Sequence, residues 1–365
     1  MKVLGSASTY LHLSRDLSRY WERSFLLTLF KMSYSRVFYQ RGPHEFNEYR
    51  FATKPLTEWR KYLDEHERHS LQELAAPQAH RFLEENKILF WRRCMETGLP
   101  TIPITALVLG QDTVPGSDGV ATATSPDELR EILEPLGDFE GFAKPLGGGQ
   151  GYGAFAFYIH GRRVSAPEFN GSIEELALHC MESRFGRSGY VLQPRIRAHP
   201  SLSNIMTGPG LGAIRLITFL DRDDQVTVPW AILRVPGAGQ VVDKWRLGAL
   251  QVAVEVQTGC LNSAVGRCPK TGIVHEVEHH PVSGICFAQT HLPMWNELIQ
   301  LVKQAAHAFS ELPCLGWDVA ISEQGPCLVE TNWAFGMGTP QIALDRGLKS
   351  EFREFYRRCS RPSHD

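Results

Sequence analysis

The sequence predicts a protein of the α+β class. From Gly189 onward, short apolar runs such as AIRLITFL and VPWAILRV are separated by Gly, Pro and Asp, as in antiparallel sheets. Single amphipathic helices are interspersed with these runs, and LPMWNELIQLVKQAAHAFSEL is the clearest of them. A chain of 365 residues is also long enough for two or three lobes that share a core. This mixture of strands and single helices is typical of α+β proteins.

The composition excludes several classes of protein. Hydrophobic residues make up 43% of the chain and charged residues 21%, which is typical of a globular protein. A formal charge of -2 argues against a general nucleic-acid binder. The eight cysteines form no CxxC pair, so we expect a reducing, cytoplasmic setting. No stretch approaches the ~20 apolar residues of a membrane-spanning helix, so we expect no transmembrane segment.

Turn residues and apolar periodicity divide the chain into four segments. Residues 1–80 are predicted to form a helical N-terminal extension. Residues 81–135 contain amphipathic helices that end at Gly98, a strand in LPTIPITALVLG, and a short helix capped by Ser125. Residues 136–196 contain a strand, a glycine cluster and a second strand, and residues 197–365 are rich in strands.

The N-terminal extension is basic. Residues 1–43 contain seven Lys or Arg against two Asp or Glu. Five large apolar side chains occur among them: Trp21, Phe25, Leu26, Leu27 and Phe30. These residues fit either an amphipathic helix that lies on a membrane or a partner, or a helix packed on its own core. We expect the packed helix, and peripheral membrane contact is the alternative.

The segment GWDVAISEQGPCLVETN predicts a metal-binding hairpin. VAI and CLVE are predicted strands, joined by a turn over residues 322–326. Antiparallel pairing about that turn places Asp318 opposite Glu330, while Glu330 and Asn332 share one face of their strand. Facing carboxylates repel each other unless a cation lies between them. An Asp, Glu and Asn oxygen set suits Mg²⁺, with phosphates and waters as further ligands.

The segment GFAKPLGGGQGYGAFAFYI predicts an anion-binding loop. It places Lys144 on a strand and follows it with glycines, whose backbone N–H groups can approach phosphate oxygens closely. The pattern is neither a P-loop nor a dinucleotide fingerprint. A hairpin tip would explain the glycines equally well.

Two arginines lie inside apolar strands, Arg215 in AIRLITF and Arg234 in AILRVPG. Arginine keeps its charge in proteins, so each needs an anion on its sheet face. A nearby carboxylate is one possible partner. The acidic hairpin that follows along the chain favours a polyphosphate site.

Taken in order, these segments resemble the ATP-grasp superfamily, most closely its sugar-transfer-associated branch. The resemblance rests on FAKPLGGGQGYG, VLQPRIRAHPSLSNI, LGAIRLITF, ILRVPGAGQVVDKW and GWDVAISEQGPCLVETNW, and it extends from Arg81 to Leu348. It implies an ATP-grasp fold, in which two α+β lobes clamp a nucleotide, with a helical N-terminal extension. It also implies ATP and Mg²⁺ as cofactors, and a small-molecule carboxylate and amine as substrates.

The resemblance assigns roles to individual residues. Lys87 and Lys144 would contact the phosphates of ATP, and Gln193 would lie near the base. Arg215 and Arg234 would face the γ-phosphate or the acyl phosphate, and Asp318, Glu330 and Asn332 would bind Mg²⁺. The lid over the nucleotide spans residues 147–153, and its binding positions are Gly147, Gly148, Gly149, Gln150 and Gly151.

Two positions depart from the usual pattern of this branch. Lys244 stands where the branch usually has an asparagine, which predicts a changed acceptor pocket or an acidic substrate. Arg195, Arg197 and His199 stand where many members have the acid that binds the ribose. The implied activity is an ADP-forming ligase that works through an acyl phosphate. A small-molecule or sugar kinase, and a non-catalytic nucleotide-binding scaffold in polysaccharide biosynthesis, are the alternatives.

Overall fold

The computed structural model describes residues 7–110, 119–147, 151–166, 169–208, 210–239 and 245–359. Within these ranges the chain forms two seven-stranded sheets and a helical N-terminal region. The α+β prediction is therefore confirmed. No helix in the described ranges combines the length and the apolar character needed to cross a membrane.

The first sheet has the strand order β2-β1-β7-β3-β4-β5-β6. Its strands are β1 (Ala106–Val108), β2 (Thr122–Ala123), β3 (Phe139–Pro145), β4 (Phe155–His160), β5 (Arg163–Ala166), β6 (Phe169–Ser172) and β7 (Tyr190–Pro194). Helices α8 (Pro126–Leu133) and α9 (Ile173–Glu182) contribute to the core that covers one face. The hydroxyl of Ser125 accepts a hydrogen bond from the Glu128 backbone N–H, so the predicted cap is confirmed.

The second sheet has the strand order β12-β11-β10-β9-β8-β13-β14 and is antiparallel throughout. Its strands are β8 (Ala213–Leu220), β9 (Val226–Val235), β10 (Leu250–Val254), β11 (Leu261–Arg267), β12 (Val274–Val277), β13 (Cys314–Ser322) and β14 (Gly325–Asn332). Helix α10 (Trp295–Ala308) packs on one face through the largest core. On the other face, α11 (Gly338–Ala343) and α12 (Lys349–Cys359) cover Ile217, Phe219 and Ile232.

Among the described residues, seven helices precede the first strand: α1 (Ala7–Tyr20), α2 (Phe25–Tyr39), α3 (Pro43–Glu48), α4 (Leu56–Trp59), α5 (Glu65–Ala75), α6 (Gln78–Glu85) and α7 (Lys87–Glu96). The first four surround Trp59, which is fully buried and stacks on Phe51 at 4.7 Å between ring centroids. The same cluster includes Val265 and Val274 of the second sheet. The N-terminal region is therefore anchored to β11 and β12.

The expectation that the apolar side chains of the N-terminal region pack on its own core is wrong for three of them. Leu26, Leu27 and Phe30 of α2 are exposed by 73%, 49% and 59%. The side of α2 that faces the protein is occupied by Thr28, Met32 and Ser35 instead.

The hairpin β13–β14 also joins the two sheets. The backbone N–H of Leu328 in β14 donates to the Pro100 carbonyl at 2.8 Å, and the Thr101 hydroxyl donates to the Leu328 carbonyl at 2.9 Å. Beyond β7, the backbone N–H of His199 donates to the carbonyl of Ile321 in β13 at 2.9 Å. The hairpin is thus hydrogen-bonded to the segment that precedes β1 in the chain and to the segment that follows β7.

The turn of the hairpin is shorter than predicted. Ser322 pairs with Gly325, so two residues form the turn, whereas the prediction extended it over 322–326. A two-residue turn with regular pairing would move Asp318 out of register with Glu330. A bulge between Asp318 and Val319 adds one residue on the β14 side and restores that pair.

Replacing Trp59 with alanine tests the anchoring of the N-terminal region. Trp59→Ala should lower the free energy of unfolding by about 3–5 kcal/mol, since it removes a buried aromatic side chain. Leu74→Ala is the matched control, because Leu74 is 81% exposed and its loss should change stability by less than about 0.5 kcal/mol. Urea denaturation followed by circular dichroism measures both. Equal stability of the two variants would contradict the anchoring.

Candidate active site

Charged side chains form a row across three neighbouring strands of the second sheet. Arg215 of β8 is paired with Asp318 of β13, which is paired with Glu330 of β14. Directly paired residues point to the same face of a sheet. Arg234 of β9 lies two residues from Ile232, the partner of Arg215, so it points to this face as well. The sheet register therefore concentrates these four side chains.

Asp318 is held between the two arginines. Its carboxylate accepts hydrogen bonds from Nε of Arg215 at 2.5 Å and from a terminal nitrogen of Arg215 at 2.9 Å, and it forms an ion pair with Arg234 at 2.5 Å. Burial by itself raises the pKa of Asp318. The charges of Arg215 and Arg234 outweigh that effect, and the pKa lies well below its ordinary value. Asp318 is therefore ionised and paired.

Glu330 behaves in the opposite way. Burial raises its pKa, and the negative charge of Asp318 and a hydrogen bond to that carboxylate raise it further. Arg215 and Lys144 act against this rise without cancelling it. Two facing carboxylates can form a hydrogen bond only by sharing a proton. The raised pKa of Glu330 reflects the repulsion that the sequence predicts at this pair.

Two lysines from outside the second sheet complete the cluster. Burial lowers the pKa of Lys144 in β3 to about 8, the Glu330 carboxylate raises it, and the ammonium group of Lys87 lowers it. Both of these charges therefore act directly on Lys144. The Nζ atom of Lys87, at the start of α7, donates to the Leu146 carbonyl at 3.1 Å. Lys144 thus acts on the acidic pair of the second sheet, and Lys87 acts on Lys144.

The glycine loop begins directly after Lys144. The backbone N–H of Gly147 donates to the Ser188 hydroxyl at 3.2 Å, and Gly151 has a φ of +65°, which favours glycine. Three of the predicted lid residues, Gly148, Gly149 and Gln150, lie outside the described residues. Lys244, the predicted acceptor-site lysine, also lies outside them.

Gln193 lies on the same face of the first sheet as Lys144, because β3 pairs Phe142 with Gln193 and Lys144 with Val191. It is 95% buried, since only 5% of its surface is exposed, and its amide nitrogen donates to the Ile102 carbonyl at 3.1 Å. Its amide donor is therefore engaged with the backbone. Contact of Gln193 with a base stays a prediction.

Comparison with known proteins identifies the family. A profile of the sugar-transfer associated ATP-grasp family matches residues 66–357. The chain belongs to this family. The predicted ATP-grasp fold is thereby confirmed, with the helical region preceding it. No curated protein matches the chain.

Solved structures with a similar fold come from several enzymes. A biotin carboxylase from Campylobacter jejuni has 14% identity and a TM-score of 0.45, over 78% of this chain and 48% of that one. A D-alanyl-alanine synthetase A from Vibrio cholerae has 16% identity and a TM-score of 0.42, over 76% and 64%. An N5-carboxyaminoimidazole ribonucleotide synthetase from Thermotoga maritima has 9% identity and a TM-score of 0.41, over 82% and 57%. This ATP-grasp chain therefore spans about half to two thirds of their length.

The residues at the acidic pair fit a magnesium ion. Asn332 shares a face with Glu330, and its amide nitrogen is buried without a hydrogen-bond partner among the described residues. The unpartnered amide nitrogen of Asn332 is a hydrogen-bond donor, which an anionic oxygen and not a cation would satisfy. The repulsion between the two facing carboxylates is what a hard cation would relieve. In the described ranges, no group of three or more His, Cys, Asp or Glu side chains is arranged to hold a metal ion. The amide oxygen of Asn332 is the third oxygen ligand that the sequence predicts for this site.

The structure adds two residues that the sequence analysis did not select. Gln251 of β10 is paired with Arg234, and its buried amide oxygen has no hydrogen-bond partner among the described residues. Gln251 is the single polar residue in the apolar run ALQVAV, and this feature of the sequence could have indicated it. The guanidinium group of Arg81 stacks on the ring of Trp333 at 4.2 Å, one residue beyond Asn332. No local pattern indicates that contact, because it joins distant parts of the chain.

Replacing Asp318 with asparagine tests its role as the shared counter-ion. Asp318→Asn should lower the free energy of unfolding by about 3–5 kcal/mol, because two largely buried arginines then lack a negative partner. Inorganic phosphate should raise the melting temperature of this variant more than that of the wild type, since it restores a negative charge. Asp224→Asn, at an exposed turn residue, is the control and should change neither quantity. A variant as stable as the wild type, without a phosphate effect, would contradict the ion-pair arrangement.

Proposed function

We propose that this ATP-grasp chain is a magnesium-dependent, ADP-forming ligase that joins a carboxylate to an amine or a similar nucleophile through an acyl phosphate. The observation that carries the proposal is a cluster of four basic side chains at one acidic pair. Arg215 and Arg234 pair with Asp318, and the charge of Lys144 acts on Glu330. The charge of Lys87 acts on Lys144. The excess of positive charge suits a polyphosphate that binds together with a divalent cation.

Phosphoryl transfer needs positioning and neutralised charge more than it needs a protein nucleophile. Lys144 in the lobe 136–196 and Lys87 in the segment before it would bind the phosphates of ATP. The residues 147–151 would cover the phosphates, and Gln193 would lie near the base. We predict two lobes, at residues 136–196 and 197–365, which would then close on the nucleotide. The segments 1–80 and 81–135 precede these lobes in the chain.

Asp318, Glu330 and Asn332 would hold Mg²⁺, which neutralises charge on the phosphates when it is bound. The pairing of Asp318 with two arginines suggests an exchange of partners. If Asp318 helped to hold the cation, the guanidinium groups of Arg215 and Arg234 would be available to an anionic group of the substrate. They would then bind the anionic oxygens of the acyl phosphate, whose charge they match in a bidentate manner. Lys244 would contact the second substrate.

The products decide between this activity and its alternatives. The protein is incubated with Mg-ATP and pools of carboxylic acids and amines, and the products are analysed by mass spectrometry. A ligase yields ADP together with a product that has lost water between two substrates. A product that has gained one phosphate would indicate a kinase, and AMP with pyrophosphate would indicate adenylation. Absence of all of these products would favour the scaffold.

Replacing Glu330 with glutamine tests the metal site. Glu330→Gln keeps the shape of the side chain and removes the negative charge, so the magnesium concentration for half-maximal ADP formation should rise by at least about tenfold. Glu323→Gln is the matched control, because Glu323 is an exposed residue at the tip of the same hairpin. A magnesium titration of ADP release measures both variants. Equal magnesium requirements would exclude Glu330 as a ligand.

The ionisation of Lys144 predicts the pH dependence of nucleotide binding. Its pKa of about 8 means that the free protein carries this charge below pH 8 and loses it above. Because a triphosphate favours the charged form, the affinity for ATP should fall by up to about tenfold per pH unit above pH 8. Lys144→Arg keeps the charge and should flatten this decline. Calorimetric titration with magnesium-free ATP measures both proteins, and parallel profiles would contradict the assignment.

A further inference from the structure

Helix α2 is oriented with its large apolar side chains towards solvent. Its buried residues are Thr28, Met32 and Ser35. Its exposed apolar residues, with their exposed fractions, are Leu26 (73%), Leu27 (49%), Phe30 (59%), Val37 (70%) and Phe38 (66%). An amphipathic helix of a globular protein normally shows the reverse arrangement, with its apolar side facing the core. The exposure of so many apolar groups on one element therefore indicates a surface that another body covers.

The exposed side chains form one continuous stripe. At 100° per residue, Leu26, Val37, Phe30, Leu27 and Phe38 fall within about one third of the helix circumference, and the helix of 15 residues is about 22 Å long. The ring of Tyr34 lies 6.0 Å from that of Phe30 and 4.3 Å from that of Phe38. We call these six side chains the α2 stripe.

Exposed basic residues lie on α1 and in the turn before α2. Arg15 and Arg19 of α1, and Arg23 in the turn before α2, are exposed. The charge of Arg23 lowers the pKa of Lys31 after the larger effect of burial, so Arg23 lies near the middle of α2. The acidic residues of this hairpin of helices are Asp16 and Glu22. An apolar stripe with an excess of Arg and Lys beside it complements a surface with apolar depth and negative headgroups.

We propose that the α2 stripe lies in the headgroup region of a lipid bilayer that contains anionic lipids. The dimensions favour a bilayer over a protein partner, because a stable protein interface needs about 20–30 residues on each side and the stripe offers six. Its side chains project from a single convex helix and form no groove that would select a partner sequence. The stripe lies outside the residues matched by the family profile, 66–357, so the proposal does not depend on the ligase activity.

The test is flotation of the full chain with vesicles of phosphatidylcholine alone or of phosphatidylcholine mixed with phosphatidylglycerol. The wild type should float with the mixed vesicles, and less so at high salt, because screening weakens the attraction of its arginines. The variant Leu26→Gln, Phe30→Gln, Phe38→Gln should bind at least tenfold more weakly. Leu74→Gln, which changes an exposed apolar residue on another helix, should bind as the wild type does.

A second variant separates charge from apolar contact. Arg15→Gln, Arg19→Gln, Arg23→Gln should lose the preference for phosphatidylglycerol. Circular dichroism verifies that every variant keeps the helical content of the wild type, which is expected because the substituted side chains are exposed.

Three results would overturn the proposal. The first is a wild type that floats with neither kind of vesicle. The second is a stripe variant that binds mixed vesicles as tightly as Leu74→Gln does. The third is a wild type that is dimeric by light scattering in the absence of lipid and becomes monomeric with the stripe substitutions, since a second copy of the chain would then be the body that covers the stripe.

Discussion

The buried carboxylate of Asp318 is the constraint on which the site depends. A charge taken out of water is costly unless it is paired, and Asp318 is paired with Arg215 and Arg234 at once. Burial and the negative charge of Asp318 raise the pKa of the facing Glu330 carboxyl group, so a second negative charge is disfavoured beside the first. The charge state of each group in this cluster therefore depends on its neighbours.

The strands that present this cluster also hold the molecule together. The hairpin β13–β14 is hydrogen-bonded at Leu328 to the segment that precedes the first sheet in the chain, and at Ile321 to the segment that follows β7. Lys144 reaches Glu330 because the first sheet is attached at these points. The hairpin therefore both attaches the first sheet and carries Asp318 and Glu330 of the candidate site. A change in the register of this hairpin would alter both.

The N-terminal region combines a buried aromatic cluster with a helix whose apolar side is exposed. Its aromatic cluster around Trp59 anchors it to β11 and β12, while α2 exposes its most apolar side. The first feature is ordinary core formation, driven by burial of apolar area. The second is an arrangement that folding alone does not favour, which is why it indicates an external surface. Both features lie in the helical region that precedes the first sheet.

The sequence by itself determined the elements and the candidate residues. The alternation of apolar residues in β8 and β9 identified Arg215 and Arg234, and the turn residues between two short strands placed Asp318 opposite Glu330. These inferences succeed because strand periodicity and turn chemistry are local properties. The exact turn was not predictable, since its length is offset by the bulge between Asp318 and Val319, which exists only in the pairing of β13 with β14.

Only the tertiary structure decided which groups meet. Lys144 and Glu330 are far apart in the chain, and their proximity depends on how two sheets attach to one hairpin. Gln251 and Arg81 escaped detection for the same reason, because their partners Arg234 and Trp333 come from other elements. The sequence likewise did not determine which side of α2 is buried. Its sequence has apolar residues on most sides, and the packing of its neighbours selected the side with Thr28, Met32 and Ser35 for burial.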